Sequence, residues 1–259
     1  MSASPFLIAA FLTSSYAAPQ VSESVPSEWS AFGKERGIQV KVQYVPTESV
    51  KTWNVKSKPI TKQTMKLATK FWPFFKSEFE KYPLEFLQKS GLKEIDLVTD
   101  LSVNGSPVKA MPDYVNERLV LDVTMADDEW YSRHVTHHEY YHLVEDQHFG
   151  SPYYKDPNWA KFNPPSFKYG KGGAYARDPK VTPFTHPQAG FINLYSQSGL
   201  EEDKAEVWAV IMYAGNWKVV SPWLKTDSRL KNKTQYMMDF AERVSPKMDK
   251  DYWKKVQGR

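Results

Sequence analysis

The 259-residue chain is 41% apolar and 15% aromatic, enough to bury one sizeable core or two small ones. Its 34 basic and 30 acidic residues leave a net charge of +4, with the lysines scattered rather than gathered into a stripe, which argues against a nucleic-acid-binding role. Cysteine is absent, so disulfides, thiolate metal sites, a cysteine nucleophile and a lipoprotein anchor are all excluded.

No apolar run approaches the roughly 20 residues that span a bilayer, so stable membrane insertion is not expected. The longest, Pro5 to Leu12, leads into Ser15-Tyr16-Ala17-Ala18, a small-residue context suited to signal-peptidase cleavage. Residues 1–17 are therefore read as a signal peptide and the protein as secreted. Residues 18–59 are polar and punctuated by Pro19, Pro26, Pro46 and Pro59, and only Ile38 to Val45 alternates as a strand does. This stretch reads as a leader arm or short pro-segment, and residues 60–259 as one folded domain.

From Thr61 to about Ser77 and on through Phe79 and Phe86, apolar residues recur at helical spacing, interrupted at Pro73 and Pro83. A kinked helix or a helix pair is expected. Glu94 to Leu101 and Arg118 to Val123 alternate apolar and polar residues between turn formers such as Asn104-Gly105 and Pro112-Asp113, and are expected as strands of a small sheet. Asp127 and Asp128 then start a helix that runs to about Gln147. Residues 149–188, rich in Gly, Pro, Tyr and Asn, read as a long loop. Helical patterns return at Leu200 to Tyr213 and at about Ser228 to Val244, before a charged tail. The expected class is α+β, with a mainly helical C-terminal part.

His138-Glu139-Tyr140-Tyr141-His142 matches HExxH. Residues four apart on a helix differ by about 40° around the axis and about 6 Å along it, so both imidazoles can share one zinc ion. Glu139, offset by one residue, is placed to take a proton from water at the metal, as a general base. A catalytic zinc needs a third protein ligand, and two candidates exist. His148 stands where the longer HExxHxxGxxH pattern puts its last histidine, but Glu145 replaces the glycine that turns the chain. Alternatively, Glu202 and Glu206 share a helix face, so that one can bind zinc while the other orients a ligand histidine.

Gly190-Phe191-Ile192-Asn193-Leu194-Tyr195-Ser196-Gln197-Ser198, followed by Glu202-Asp203-Lys204-Ala205-Glu206, resembles the GFxxxYxxS and EDxAE stretches of zinc-binding metallopeptidases of the gluzincin type. His137-His138-Glu139 is similar to the HHExxH of that group. Arg229 to Trp253, with Lys233 and Tyr236-Met237-Met238, resembles its closing helices. The catalytic domain of anthrax lethal factor is a more distant likeness. The resemblance covers about Arg133 to Trp253. It implies a zincin-like fold, with a small mixed sheet packed on the active-site helix, in a domain spanning 60–259. It implies His138, His142 and Glu202 as ligands of one catalytic zinc, Glu139 as base, and Tyr195 as the group facing the substrate carbonyl. One departure is Lys204, at a position that is often aromatic in the related motif.

The resulting expectation is a secreted zinc metallopeptidase, an endopeptidase acting on peptide or protein substrates, with Arg118 to Val123 as the edge strand along which substrate lies. Residues 169–177 are expected to line or cover the cleft. Two alternatives stand beside it. One is a secreted binding or toxin-like module that keeps zinc for structure, with a fourth ligand from His134, His148 or His186. The other is a metzincin-like protease using His148. Oligomeric state is not legible in the sequence.

Overall fold

The computed structural model describes residues 23–176, 180 and 182–258, so the expected signal peptide at 1–17 lies outside the described residues. Helix α1 (Ser27–Arg36) ends at Gly37 in the left-handed conformation and buries Trp29 and Phe32. Strand β1 (Gln39–Lys41) follows, shorter than the expected Ile38 to Val45, and then β2 (Lys56–Lys58). Helix α2 (Met65–Phe79) runs through Pro73, whose ring lies on the exposed face, while Ala68, Phe71, Trp72, Phe75 and Phe79 turn inward. Trp29 stacks on Trp72 with ring centroids 4.7 Å apart, tying α1 to α2. The break in this helical stretch falls at Pro83, which starts α3 (Leu84–Lys89).

The sheet is built around β3 (Glu94–Val103), which turns at Asn104-Gly105, both at positive φ, into β4 (Ser106–Pro107). Next come β5 (Ala110–Asp113) and β6 (Arg118–Asp122). Strand order is β1-β3-β6-β5, with β1 and β6 parallel to β3, and β5 antiparallel to β6. Alternation sends Ile95, Leu97, Leu119 and Leu121 to the large core shared with the helices. Val98, Val120 and Met111 go to a smaller cluster on the other face with Tyr44 and Leu101.

Arg118 to Val123 is therefore not the edge strand: β6 lies between β3 and β5, and β5 holds the edge. Pro112 had marked this stretch as a turn. Lys109 O accepts from Asp122 N at 2.8 Å, so Lys109, Met111 and Asp113 direct their backbone groups to β6. Pro112 points its N outward, where no ladder hydrogen bond is lost.

Helix α4 (Glu129–Phe149) begins where the Asp128 carboxylate accepts from Tyr131 N at 2.9 Å, and closes at Gly150 with φ 71. After the short α5 (Pro157–Ala160) a long irregular stretch leads to α6 (Leu200–Met212), which packs along α4. Helices α7 (Ala214–Val220), α8 (Ser228–Val244) and α9 (Lys250–Val256) complete a mainly helical C-terminal part. The expected charged tail is instead α9, and it buries Trp253 and Val256. Among the described residues no helix is long and apolar enough to cross a membrane.

Candidate metal centre

Three imidazoles project from successive turns of α4, His134, His138 and His142, and face two carboxylates one turn apart on α6, Glu202 and Glu206. All five residues are buried. His138 sits in the middle: its Nε2 lies 3.0 Å from Glu202 Oε2 and its Nδ1 lies 2.9 Å from Glu206 Oε1. His142 Nε2 is 3.5 Å from the same Glu202 oxygen, and His134 Nε2 is 3.1 Å from Glu206 Oε1. Two groups of three result, each with ligand atoms within 4.8 Å of one another: His138-His142-Glu202 and His134-His138-Glu206.

Their chemistry differs. Asn216 Nδ2 lies 2.9 Å from Ala209 O, so its N–H groups donate there and to His134 Nδ1, 3.0 Å away. With Nδ1 accepting, Nε2 of a neutral His134 carries the proton and donates it to Glu206. The Glu206 carboxylate also accepts from Asn193 Nδ2 at 2.7 Å. Glu206 is thus filled by hydrogen-bond donors and anchors His138, whereas His138, His142 and Glu202 present two imidazole nitrogens and a carboxylate oxygen to one point. Two neutral nitrogens and an anionic oxygen suit zinc.

Among the described residues, the ion pairs of Glu202 and Glu206 are all with histidines. Burial raises both carboxyl groups, but the imidazoles more than offset it, by hydrogen bonds first at Glu202 and by the charge of His134 first at Glu206, and hold both well below the usual carboxylate range. Correspondingly, burial works against a charge on His138, while Glu202 and Glu206 raise it well above an ordinary histidine. The cluster therefore draws positive charge into itself, and its donor set fits a divalent cation.

Glu139 lines the same cleft as His138 and His142, and burial raises its carboxyl group above the ordinary range. The Tyr195 ring lies 5.8 Å from that of His138. Burial and the charges of Glu202 and Glu139 keep its phenol protonated, the form that can donate a hydrogen bond. The structure brings His138, Glu139, His142, Tyr195, Glu202 and Glu206 to one cleft of about 1390 Å³. Its wall on the sheet side includes Ala110, Met111 and Pro112 of the edge strand.

His148 is not brought there. At the end of α4 it meets Phe240 edge-on at 5.4 Å and lines a separate pocket with Lys89 and Arg243. His186 stacks on Trp223 at 4.8 Å, and its Nε2 lies 2.8 Å from Asp227. His137 turns away from the cluster, with Nε2 2.7 Å from Glu78 and Nδ1 2.7 Å from the Tyr82 hydroxyl. Among the described residues, neither His148 nor His186 offers the His138-His142-Glu202 group a fourth ligand.

Two features escaped sequence reasoning. His134 was noted only as a spare ligand, although it lies four residues before His138 on the same helix face. Gly173 lies in the stretch expected to line or cover the cleft, but its own role was not expected: a Cβ there would stand 2.0 Å from Glu202 Oε1 and 2.4 Å from the Tyr195 hydroxyl. Backbone bonds from Gly170 N to Gln197 O at 3.0 Å and from Gly172 N to Ser198 O at 2.7 Å hold this strap against the start of α6. Only a glycine lets the chain pass so close to the carboxylate.

No family model matches the chain, and no curated protein matches it. Among solved structures, it is similar to the crystal structure of a proposed zinc-binding metallo-peptidase from Bacteroides caccae ATCC 43185, with a TM-score of 0.50 and 15% identity. The match covers 91% of this chain and 94% of that one. At that identity the likeness establishes the fold: a small mixed sheet with a mainly helical C-terminal part, as in a metallopeptidase-like neighbour.

Proposed function

We propose that this protein is a secreted zinc-dependent endopeptidase of the gluzincin type, related distantly to the lethal factor catalytic domain, with residues 1–17 as its signal peptide and 18–59 as a leader or short pro-segment. The observation that carries the reading is a buried cluster of two imidazole nitrogens and a carboxylate oxygen, from His138, His142 and Glu202, converging in one cleft. The named role of the Bacteroides caccae neighbour agrees with it.

His138, His142 and Glu202 would hold one zinc ion, with Glu206 orienting His138. When bound, zinc acidifies water and polarises a carbonyl. Glu139 accepts the proton of the attacking water and later delivers it to the departing amine. Its raised proton affinity suits both halves of that transfer. Tyr195, held protonated, donates a hydrogen bond to the developing oxyanion of the substrate. Strand β5 offers the outward backbone groups of Ala110 and the Pro112 carbonyl to an extended peptide.

Cleavage of a diverse peptide library by the parent and by Glu139→Gln, with zinc measured in both, tests this reading. The variant is expected to lose about 10²–10⁴-fold in kcat while retaining zinc. A parent that holds zinc and cleaves nothing would instead favour a zinc-containing binding or toxin-like module.

A further inference from the structure

The cleft sorts its charged side chains by position. Its acidic lining residues, Glu139, Glu201, Glu202 and Glu206, all come from α4 and α6. Glu139, Glu202 and Glu206 belong to the catalytic floor. Glu201 folds back on the strap, since a Cβ on Gly199 would meet its Oε1 at 2.2 Å and one on Gly172 at 3.1 Å. Away from those two helices, every lysine or carboxylate lining the cleft among the described residues is a lysine: Lys109, Lys155, Lys168 and Lys171. Lys109 donates to the Thr124 hydroxyl at 2.6 Å and keeps its charge. The other three are exposed, lie on the segment between α4 and α6, and have no carboxylate partner among the described residues.

A rim of unpaired cations beside a low-dielectric floor raises the local concentration of anionic ligands and opposes cationic ones. Apolar side chains, Val108, Met111 and Val135 among them, line the cleft as well. We infer that the cleft selects peptides carrying anionic side chains, carboxylate or phosphoryl, within a few residues of the bond to be cleaved. This inference rests on the peptidase reading and names its substrate class.

The test uses matched fluorogenic peptides that share one cleavable core and differ only in flanking residues: Asp/Glu, phosphoserine, Asn/Gln or Lys. For the zinc-loaded full chain, kcat/KM is expected to be about tenfold higher for an anionic than for the neutral peptide at low salt, and the preference is expected to shrink as the Debye length falls. A preference confined to one anionic peptide identifies which source the rim reads. Reversing the rim with K155E, K168E and K171E together is expected to invert the order of the acidic and lysine peptides, with zinc content as the check on folding. Equal rates for acidic and neutral peptides, or a preference that survives the reversal, overturns the inference. If no peptide is cleaved, the peptidase reading fails, and peptide binding to Glu139→Gln decides the inference separately: tighter binding of the anionic peptides upholds it, and equal binding ends it.

Discussion

Helix α6 sends Asp203 and Lys204 into one buried region and Glu202 and Glu206 into another, and the two balance their charges differently. In the first, Lys233 Nζ lies 2.6 Å from Asp203 Oδ2, which also accepts from Trp159 Nε1 and the Tyr169 hydroxyl. Lys204 pairs with Glu145 and lies 3.7 Å from Asp156. Each carboxylate there has a cationic neighbour. In the second, the ion-pair partners of Glu202 and Glu206 among the described residues are histidines. A buried charge is tolerated when it is paired. The lysine-paired region carries its own cations, although burial still raises Glu145 and Asp203 above ordinary carboxyl groups, while the histidine-lined one takes its cationic charge from protons or a metal. The same contrast explains the departure at Lys204: its ammonium serves Glu145, the residue that replaces the turn glycine of the longer histidine motif.

Removing a charge should therefore act on stability first in one region and on zinc binding first in the other. Lys233→Met strands Asp203 in the core and is expected to lower stability by about 3–5 kcal/mol by denaturant unfolding, without changing zinc affinity per folded chain. Adding Asp203→Asn should recover much of that loss; a double variant no better than the single would break the comparison. In the other region, Glu206→Gln is expected to weaken zinc binding about 10–100-fold by chelator competition, with only a modest loss of stability in the metal-free protein. A large stability loss without a change in zinc affinity would make Glu206 a packing residue instead. Gly173→Ala should weaken zinc binding about tenfold by crowding Glu202 Oε1, and less when combined with Glu202→Asp, which withdraws the carboxylate; additive effects would show that the strap does not position the ligand.

Asp96 sharpens the comparison from a third direction. It is fully buried on β3, and burial together with the neighbouring Glu94 pushes its carboxyl group well above the usual range. With no imidazole group beside it, this carboxyl keeps a proton rather than gathering metal ligands. Its contribution to stability is full below the ordinary carboxylate pKa of about 4 and is lost as pH rises toward the raised folded value. Asp96→Asn is expected to be more stable than the parent at pH 7, by a margin of about 1 kcal/mol that shrinks toward pH 4. A margin that grows on acidification would contradict the direction of the shift.

The parts of this contrast differ in how far they could be read from sequence. His138, Glu139 and His142 follow from helical spacing within five residues, and Glu202 with Glu206 from the same rule on a second helix. Helices α4, α6 and α8 were visible because each carries its own cap or apolar period. The partners in the lysine-paired region lie 59 residues apart for Lys204 with Glu145 and 30 apart for Lys233 with Asp203, a pairing that only the packed helices create. Strand β5 was hidden by Pro112, which is harmless at an outward-facing edge position. Helix α9 was hidden by its charges, although Trp253 is its anchor. Gly173 carries no side chain to signal its approach to Glu202.

Metal analysis of the purified chain equilibrated with micromolar zinc, beside His142→Ala and Glu202→Ala, tests the central claim most directly. One zinc per parent chain, with both variants losing most of it, is the predicted result. A parent that remains metal-free, or a Glu202→Ala protein that holds zinc as tightly as the parent, would contradict it.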